Sequence, residues 1–262
     1  MAQSVLAAGV DRGQLRRQIK AKYTEVALEP EKGFHFHTGR PLAAMLGYDD
    51  ADVDWLPPST VESFAGTGNP FSLGRLGEGE VVLDIGCGAG FDTLLAARQV
   101  GPHGSVIAVD MTEGMLDKTR AGAAALRLSN VEARHGFAED LPAASVSIDV
   151  VISNGVINLA TDKSKVFSEV ARLLKSGGRF AISDIVTEVQ LPENIVCNST
   201  LWAACIGGAA QQDNYRGQIA AAGMKVVKVQ DNPTYQFISD NARGASKKFG
   251  VKSISLLAVK PS

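Results

Sequence analysis

The sequence predicts an α/β protein built on a seven-stranded, mostly parallel sheet with helices on both faces. Three observations carry this. From residue 81 onward, short apolar runs alternate with helical patterns, the rhythm of βαβ units. The first run, Val81–Ile85, passes into a helix through Gly86-Cys87-Gly88-Ala89-Gly90, a turn that only closely spaced glycines allow. Asp84, Asp110, Glu139 and Asn154 all fall at or just after strand ends, on the one edge where such sheets bind ligands.

The elements follow in order. Residues 11–28 read as an amphipathic helix, with Leu15, Ile19, Tyr23 and Val26 on one stripe and Pro30 ending it. Residues 30–74 are rich in proline and glycine and show no regular pattern. They also hold Phe34, Phe36, Trp55, Phe64 and Phe71, too apolar for a disordered linker, and read as a cap over the ligand edge. Val81–Ile85 is the first strand and Asp92–Gln99 its helix. Ser105–Asp110 is the second strand, followed by a helix over Glu113–Leu126, and Val131–His135 is the third. Ile148–Ser153 is the fourth strand. A helix over Lys163–Leu174 ends at Gly177-Gly178, and Arg179–Ser183 is the fifth strand. A helical segment with Trp202 and Cys205 is broken by Gly207-Gly208. A helix over Asn214–Ala222 and alternating strands at Lys225–Gln230 and Ser253–Lys260 complete the chain. The expected organisation is an N-terminal helix and cap over residues 1–75. A core over residues 76–262 then carries a helical insertion on its substrate side at about 190–215.

Composition narrows the function. In 262 residues, apolar content is 45%, charged content 21% and net charge −2, as expected of a soluble globular chain. No Lys/Arg run supports a nucleic-acid or acidic-membrane partner, and no apolar stretch approaches the roughly 18 residues of a membrane span. The N-terminus lacks the pattern of a secretory signal. Cys87, Cys197 and Cys205 make no C-x-x-C pair and no even disulfide set, which suits a reducing cytoplasm. The expected partner is a small-molecule acceptor. Oligomeric state is not legible.

Phe91 stands where a G-x-G-x-x-G dinucleotide loop needs glycine or alanine. The pattern present, D-x-G-x-G-x-G, resembles the first motif of class I S-adenosylmethionine (SAM) methyltransferases, and implies their Rossmann-like fold. On that resemblance, Asp84, Gly86, Gly88 and Gly90 cradle the cofactor. A carboxylate at Asp110 suits two ribose hydroxyls; capping the next helix is its other role. Met111 lies flat on the adenine or packs in the core. The N–H of Ala138 and the carboxylate of Glu139, or of Asp140 beside it, read the adenine edge. Asn154 and Val156 complete the cofactor set.

The run Val150-Val151-Ile152-Ser153-Asn154-Gly155-Val156-Ile157-Asn158-Leu159 is similar to the N-C-V-I-N-L motif of arsenite methyltransferases. Leu191-Pro192-Glu193 with Leu201-Trp202-Ala203-Ala204-Cys205-Ile206-Gly207-Gly208-Ala209 resembles that family's L-P-E…L-W-x-x-C-x-G-G-A. Gly66-Thr67-Gly68-Asn69-Pro70 resembles its G-C-G-x-P. The similarity runs from about Tyr23 to Ala222. The family holds trivalent arsenic in soft cysteine thiolates. Here Gly155 and Thr67 replace two of those cysteines, and Cys205 alone matches. The resemblance makes Tyr23, Thr67, Gly155 and Cys205 substrate-site candidates.

His35 and His37 share one face of an extended segment and read as base, metal ligands or loop caps; no metal site is assigned. Cys205 reads equally as a reactive thiolate or as packing. The expected activity is methyl transfer from SAM to a small acceptor, with S-adenosylhomocysteine as product. Candidate acceptors are a thiol, a selenium or tellurium species, an arsenical, or a small organic molecule. The alternatives are glutathione-assisted arsenite methylation and non-catalytic SAM sensing.

Overall fold

The computed structural model describes residues 12–34, 36–196, 207–238 and 240–262. Eight strands form one sheet: β1 (Val81–Ile85), β2 (Ser105–Asp110), β3 (Val131–His135), β4 (Ile148–Asn154), β5 (Leu174–Thr187), β6 (Ala210–Gln211), β7 (Lys225–Asp231) and β8 (Lys252–Val259). Seven of them run in the order β3-β2-β1-β4-β5-β8-β7, and the two-residue β6 pairs with β5 off this path. Pairing is parallel from β3 through β5 and antiparallel where β8 meets β5 and β7. The chain leaves β1 toward β2 and β3, then returns to β4 on the other side. The order therefore reverses between β1 and β4, and a crevice opens beyond their C-terminal ends.

Period-two alternation sets the two faces. From β1, Leu83 and Ile85 pack with Val151 and Phe180, and with Val166, Phe167 and Val170 of α7 (Lys163–Leu173) and Tyr215 and Ile219 of α9 (Gln212–Ala221). Val82 points the other way, with Val106, Val150 and Ile152, against Ala96, Ala97 and Val100 of α5 (Phe91–Val100). Each Val, Leu, Ile or Phe fully buried here contributes roughly 1.5–3 kcal/mol. Asp84 shares the α5 face with Val82, which explains a carboxyl buried inside the sheet. It accepts a hydrogen bond from Thr93 of α5 at 2.6 Å.

The long helix α1 (Arg12–Leu28) buries Leu15, Ile19 and Val26, the predicted stripe. Segment 30–74, expected to be irregular, instead carries several short helices. It holds α2 (Gly39–Met45), α3 (Asp50–Trp55), α4 (Pro58–Glu62) and a 3-10 turn at Pro70–Leu73. Its prolines begin helices rather than breaking them: Pro58 and Pro70 both lie in the first turn. Leu42, Leu46, Val53, Leu56 and Phe64 pack this layer onto Phe91, Leu94 and Leu95 of α5. The helix α6 (Glu113–Ala125) lies between β2 and β3 and packs against α1 through Met115. Of the insertion, α8 (Glu193–Val196) and β6 are described; Cys197, Trp202 and Cys205 lie outside the described residues. A further helix not expected from the sequence pattern is α10 (Asp240–Phe249). No helix among the described residues is long and apolar enough to cross a membrane.

Candidate functional site

A cavity of about 1100 Å³, its mouth included, opens at the β1–β4 reversal. One wall is the glycine turn. Its three glycines all have positive φ, at +70°, +53° and +89° for Gly86, Gly88 and Gly90, but for different reasons. A Cβ on Gly86 would lie 2.3 Å from Val156 Cγ2, and one on Gly90 would lie 2.9 Å from Thr119 Oγ1; protein packing requires both. A Cβ on Gly88 would meet nothing within 4 Å, so the turn presents bare backbone to the cavity there. Gly90 is not part of the cavity wall. It caps α5 and faces Thr119 behind the turn.

Asp110, at the end of β2, accepts the N–H of Gly88 at 3.0 Å and that of Thr112 at 2.8 Å. Burial raises its pKa, opposed by those N–H donors. Met111, Ala138 and Val156 stand on the same wall. Glu139 also reaches it, but its carboxylate is engaged. Arg16 of α1 lies 3.2 Å from Oε2, and the N–H and hydroxyl of Thr161 donate to Oε1 at 3.3 and 3.1 Å. The Arg16 guanidinium also sits 4.6 Å from the Phe137 ring centre. Arg16 was not foreseen; a lone arginine on a helix's polar face carries no sequence signal.

The floor is acidic. Asp84 and Asp92 are both buried and both line the cavity. Burial, and then the neighbouring Asp92, push Asp84 up to about 8. Burial pushes Asp92 up to about 6, although Tyr48 and Asn154 hydrogen-bond to it. Tyr48 donates to Asp92 Oδ1 at 2.6 Å, and Asn154 Nδ2 donates to Oδ2 at 2.9 Å. A cation bound above them favours the ionised form of both. Asp92 lies in the first turn of α5, where an acid reads from sequence as a dipole partner and not as part of a site. Burial, with Asp110 and Asp84 nearby, also raises the Cys87 thiol and favours its neutral form.

Asn154 lines the cavity, but its amide serves the protein. Oδ1 accepts the N–H groups of Thr67 at 2.8 Å and Gly68 at 3.1 Å, and Nδ2 also donates to the carbonyl of Gly68 at 2.8 Å. This side chain fastens the Gly66–Gly68 loop to the end of β4. A Cβ on Gly66 would lie 2.5 Å from Asn154 Nδ2, hence the glycine there. Gly155, with φ +76°, lines the cavity, and Thr67 lies directly behind it.

Among the other predicted residues, Tyr23 lines the cavity at the glycine-turn end, packed against Ala89 and Met115. Thr67 is not on the wall itself. His37 does not line the cavity either; Phe36, beside it, stacks on Phe34 with ring centres 5.5 Å apart and on Tyr23 at 6.1 Å. His35 and Cys205 lie outside the described residues. No cluster of three or more His, Cys, Asp or Glu suited to a metal occurs among the described residues.

Residues 76–223 match the model of a methyltransferase-domain family. The chain is 42% identical over 197 residues to an arsenite methyltransferase of Halobacterium salinarum, covering 74% of this chain and 50% of that relative. It is 36% identical over 154 residues to the human arsenite methyltransferase, covering 55% and 40%. Among solved structures, it resembles the arsenic(III) S-adenosylmethionine methyltransferase of Chlamydomonas reinhardtii at 29% identity and a TM-score of 0.68. That match covers 86% of this chain and 75% of the other. The chain spans half or less of the length of the arsenite methyltransferases it matches in sequence.

Proposed function

The chain belongs to the methyltransferase-domain family, with arsenite methyltransferases among its relatives, and on that premise we propose that it moves the methyl group of SAM to a small acceptor. The observation that carries this reading is the open backbone at Gly88, held by Asp110 at the β1–β4 reversal. The cavity suits the cofactor chemically. Bare N–H groups and glycine Cα atoms admit close approach, and Asp110 keeps lone pairs for ribose hydroxyls. Met111 and Ala138 offer a flat wall for a base, and Asp84 and Asp92 face positive charge. When bound, SAM supplies an electrophilic methyl on a sulfonium centre.

The residues of this chain then have three tasks. Tyr23, Ile19 and Arg16 of α1 close the cavity from above and exclude water. The buried acids hold the cation in place. Gly66 and Gly155 leave room at the far end for the acceptor to align in line with the methyl. Thr67 and Gly155 offer no thiolate, so the acceptor is a nucleophile that needs no three-sulfur cage: a thiol, a selenium or tellurium species, an organoarsenical or a small organic molecule. The segment before β1 acts as the cap, and the cytoplasm is the compartment that suits this chemistry.

A second reading is arsenite methylation with glutathione supplying the missing sulfurs. It draws support from the 42% identity to an arsenite methyltransferase. The test is calorimetric titration with SAM, followed by acceptor-dependent release of S-adenosylhomocysteine. Failure to bind SAM overturns both readings, and binding without release under any acceptor leaves a sensor.

A further inference from the structure

We propose that Arg16 is a positioning residue for the cofactor: its bond to Glu139 latches α1 over the Phe137–Glu139 side of the cavity, and breaking that bond is the step that admits and releases the nucleoside. This rests on the methyltransferase reading above.

Three separate segments meet at the Glu139 carboxylate. Glu139 itself lies in the loop after β3. Oε1 accepts the N–H and the hydroxyl of Thr161, between β4 and α7, at 3.3 and 3.1 Å. Oε2 meets the Arg16 guanidinium of α1 at 3.2 Å. Arg16, Phe137, Glu139 and Thr161 all line the cavity, so the junction is part of its wall.

The Glu139 side chain is 9% exposed, so water and salt screen this pair less than an open surface pair. The guanidinium also lies 4.6 Å from the Phe137 ring centre, a cation–π contact. Phe137 is itself fixed. Its carbonyl accepts the Asp140 N–H at 2.9 Å, and the His135 ring meets its ring edge-on, with centres 5.8 Å apart. Lysine would keep the charge at position 16 but neither the fork nor the flat stack.

Arg16, Ile19 and Tyr23 fall on one face of α1 at helical spacing, and all three line the cavity. Leu15 and Ile19 pack with Leu159, Ile185 and Leu191. Such apolar burial is non-directional: it holds a helix down without fixing where it stops. Arg16 adds a directional bond beside it. A nucleoside lying against Met111 and Ala138 is then enclosed by α1, and its exchange requires α1 to lift. Thr161 holds Glu139 from the other side, so Glu139 keeps its place when Arg16 lets go.

Surface plasmon resonance on the immobilised full chain tests this, with S-adenosylhomocysteine as the probe. Association and dissociation rate constants are measured for wild type, Arg16→Gln and Arg16→Lys. The probe has no net charge, so losing a cation from the wall does not alter its steering. The Arg16 side chain is 40% exposed, and a melting curve confirms that each variant folds. A latch slows entry and exit alike. In Arg16→Gln both rate constants should rise by about tenfold, the worth of one charge-assisted hydrogen bond, while the dissociation constant moves far less than either. Arg16→Lys should fall between. Added salt should speed both rates in wild type and leave Arg16→Gln unmoved. Faster dissociation alone would make Arg16 a plain ligand contact, and unmoved rates would leave it structural. Either result, or Arg16→Lys as fast as Arg16→Gln, overturns the proposal alone. Failure of wild type to bind the probe overturns the methyltransferase reading with it.

Discussion

Asp110 Oδ2 accepts the backbone N–H of Gly88 at 3.0 Å, so the carboxylate ending β2 holds the turn that ends β1. The same side chain faces the cavity. Asp110→Ala removes both the brace and the proposed ribose acceptor. Two charge-assisted hydrogen bonds of roughly 1.5–3 kcal/mol each imply that SAM affinity falls by at least about 100-fold. Calorimetry checks this, and unchanged affinity would reject the cofactor assignment.

The buried acids predict a pH signature. Asp84 is raised to about 8 in the folded protein, above its unfolded value, so the folded state binds the extra proton. Its contribution to stability is complete below the unfolded pKa and is lost as pH rises through about 8. Asp92 behaves alike, with its loss through about 6. The melting temperature of the ligand-free protein should therefore decline as pH rises from about 4 to about 8, most steeply below about 6 where both acids contribute, and Asp84→Asn should flatten that slope. Parallel curves for the two proteins would contradict it.

Asn154 joins the Gly66–Gly68 loop, Asp92 and β4 through one amide. Asn154→Ala should cost about 2–4 kcal/mol in urea unfolding, because buried partners lose their bonds. Asn154→Asp keeps the acceptor for Thr67 and Gly68 but sets a second carboxyl against Asp92. Its deficit should grow as pH rises; a pH-independent deficit would show that Asp92 is not its partner.

Gly155 carries φ +76° next to Thr67. Gly155→Ala should cost about 1–2 kcal/mol, from the left-handed backbone and the close methyl. Thr67→Ser removes that methyl and should recover part of the loss. Thr67→Cys with Gly155→Cys brings two thiols side by side. Arsenite-dependent release of S-adenosylhomocysteine should rise in this variant, at a cost in melting temperature. No rise would mean that the two positions do not reach the methyl.

The sheet was legible because its strands are short, apolar and cut by glycine: β1, β2 and β3 begin and end where the pattern placed them. Residues 30–74 were not, because helices of five to seven residues are too short to show periodicity and take their stability from packing on α5. The cavity wall was read from residues at strand ends, which topology gathers on one edge. What sequence could not show is which polar atoms the protein itself consumes. Asn154 and Glu139 point at the cavity, yet they bond to Thr67, Gly68, Arg16 and Thr161, partners distant in the chain. Thr67 and Gly155, read as separate substitutions, prove to be neighbours.

Mass spectrometry reads methyl transfer from SAM itself. Purified protein is incubated with methyl-labelled SAM and, in separate samples, 2-mercaptoethanol, glutathione, arsenite with glutathione, or no acceptor. S-adenosylhomocysteine release should depend on an acceptor, label should appear on that acceptor, and both should be lost in Asp110→Ala. SAM bound by calorimetry but never converted in any sample would contradict methyl transfer.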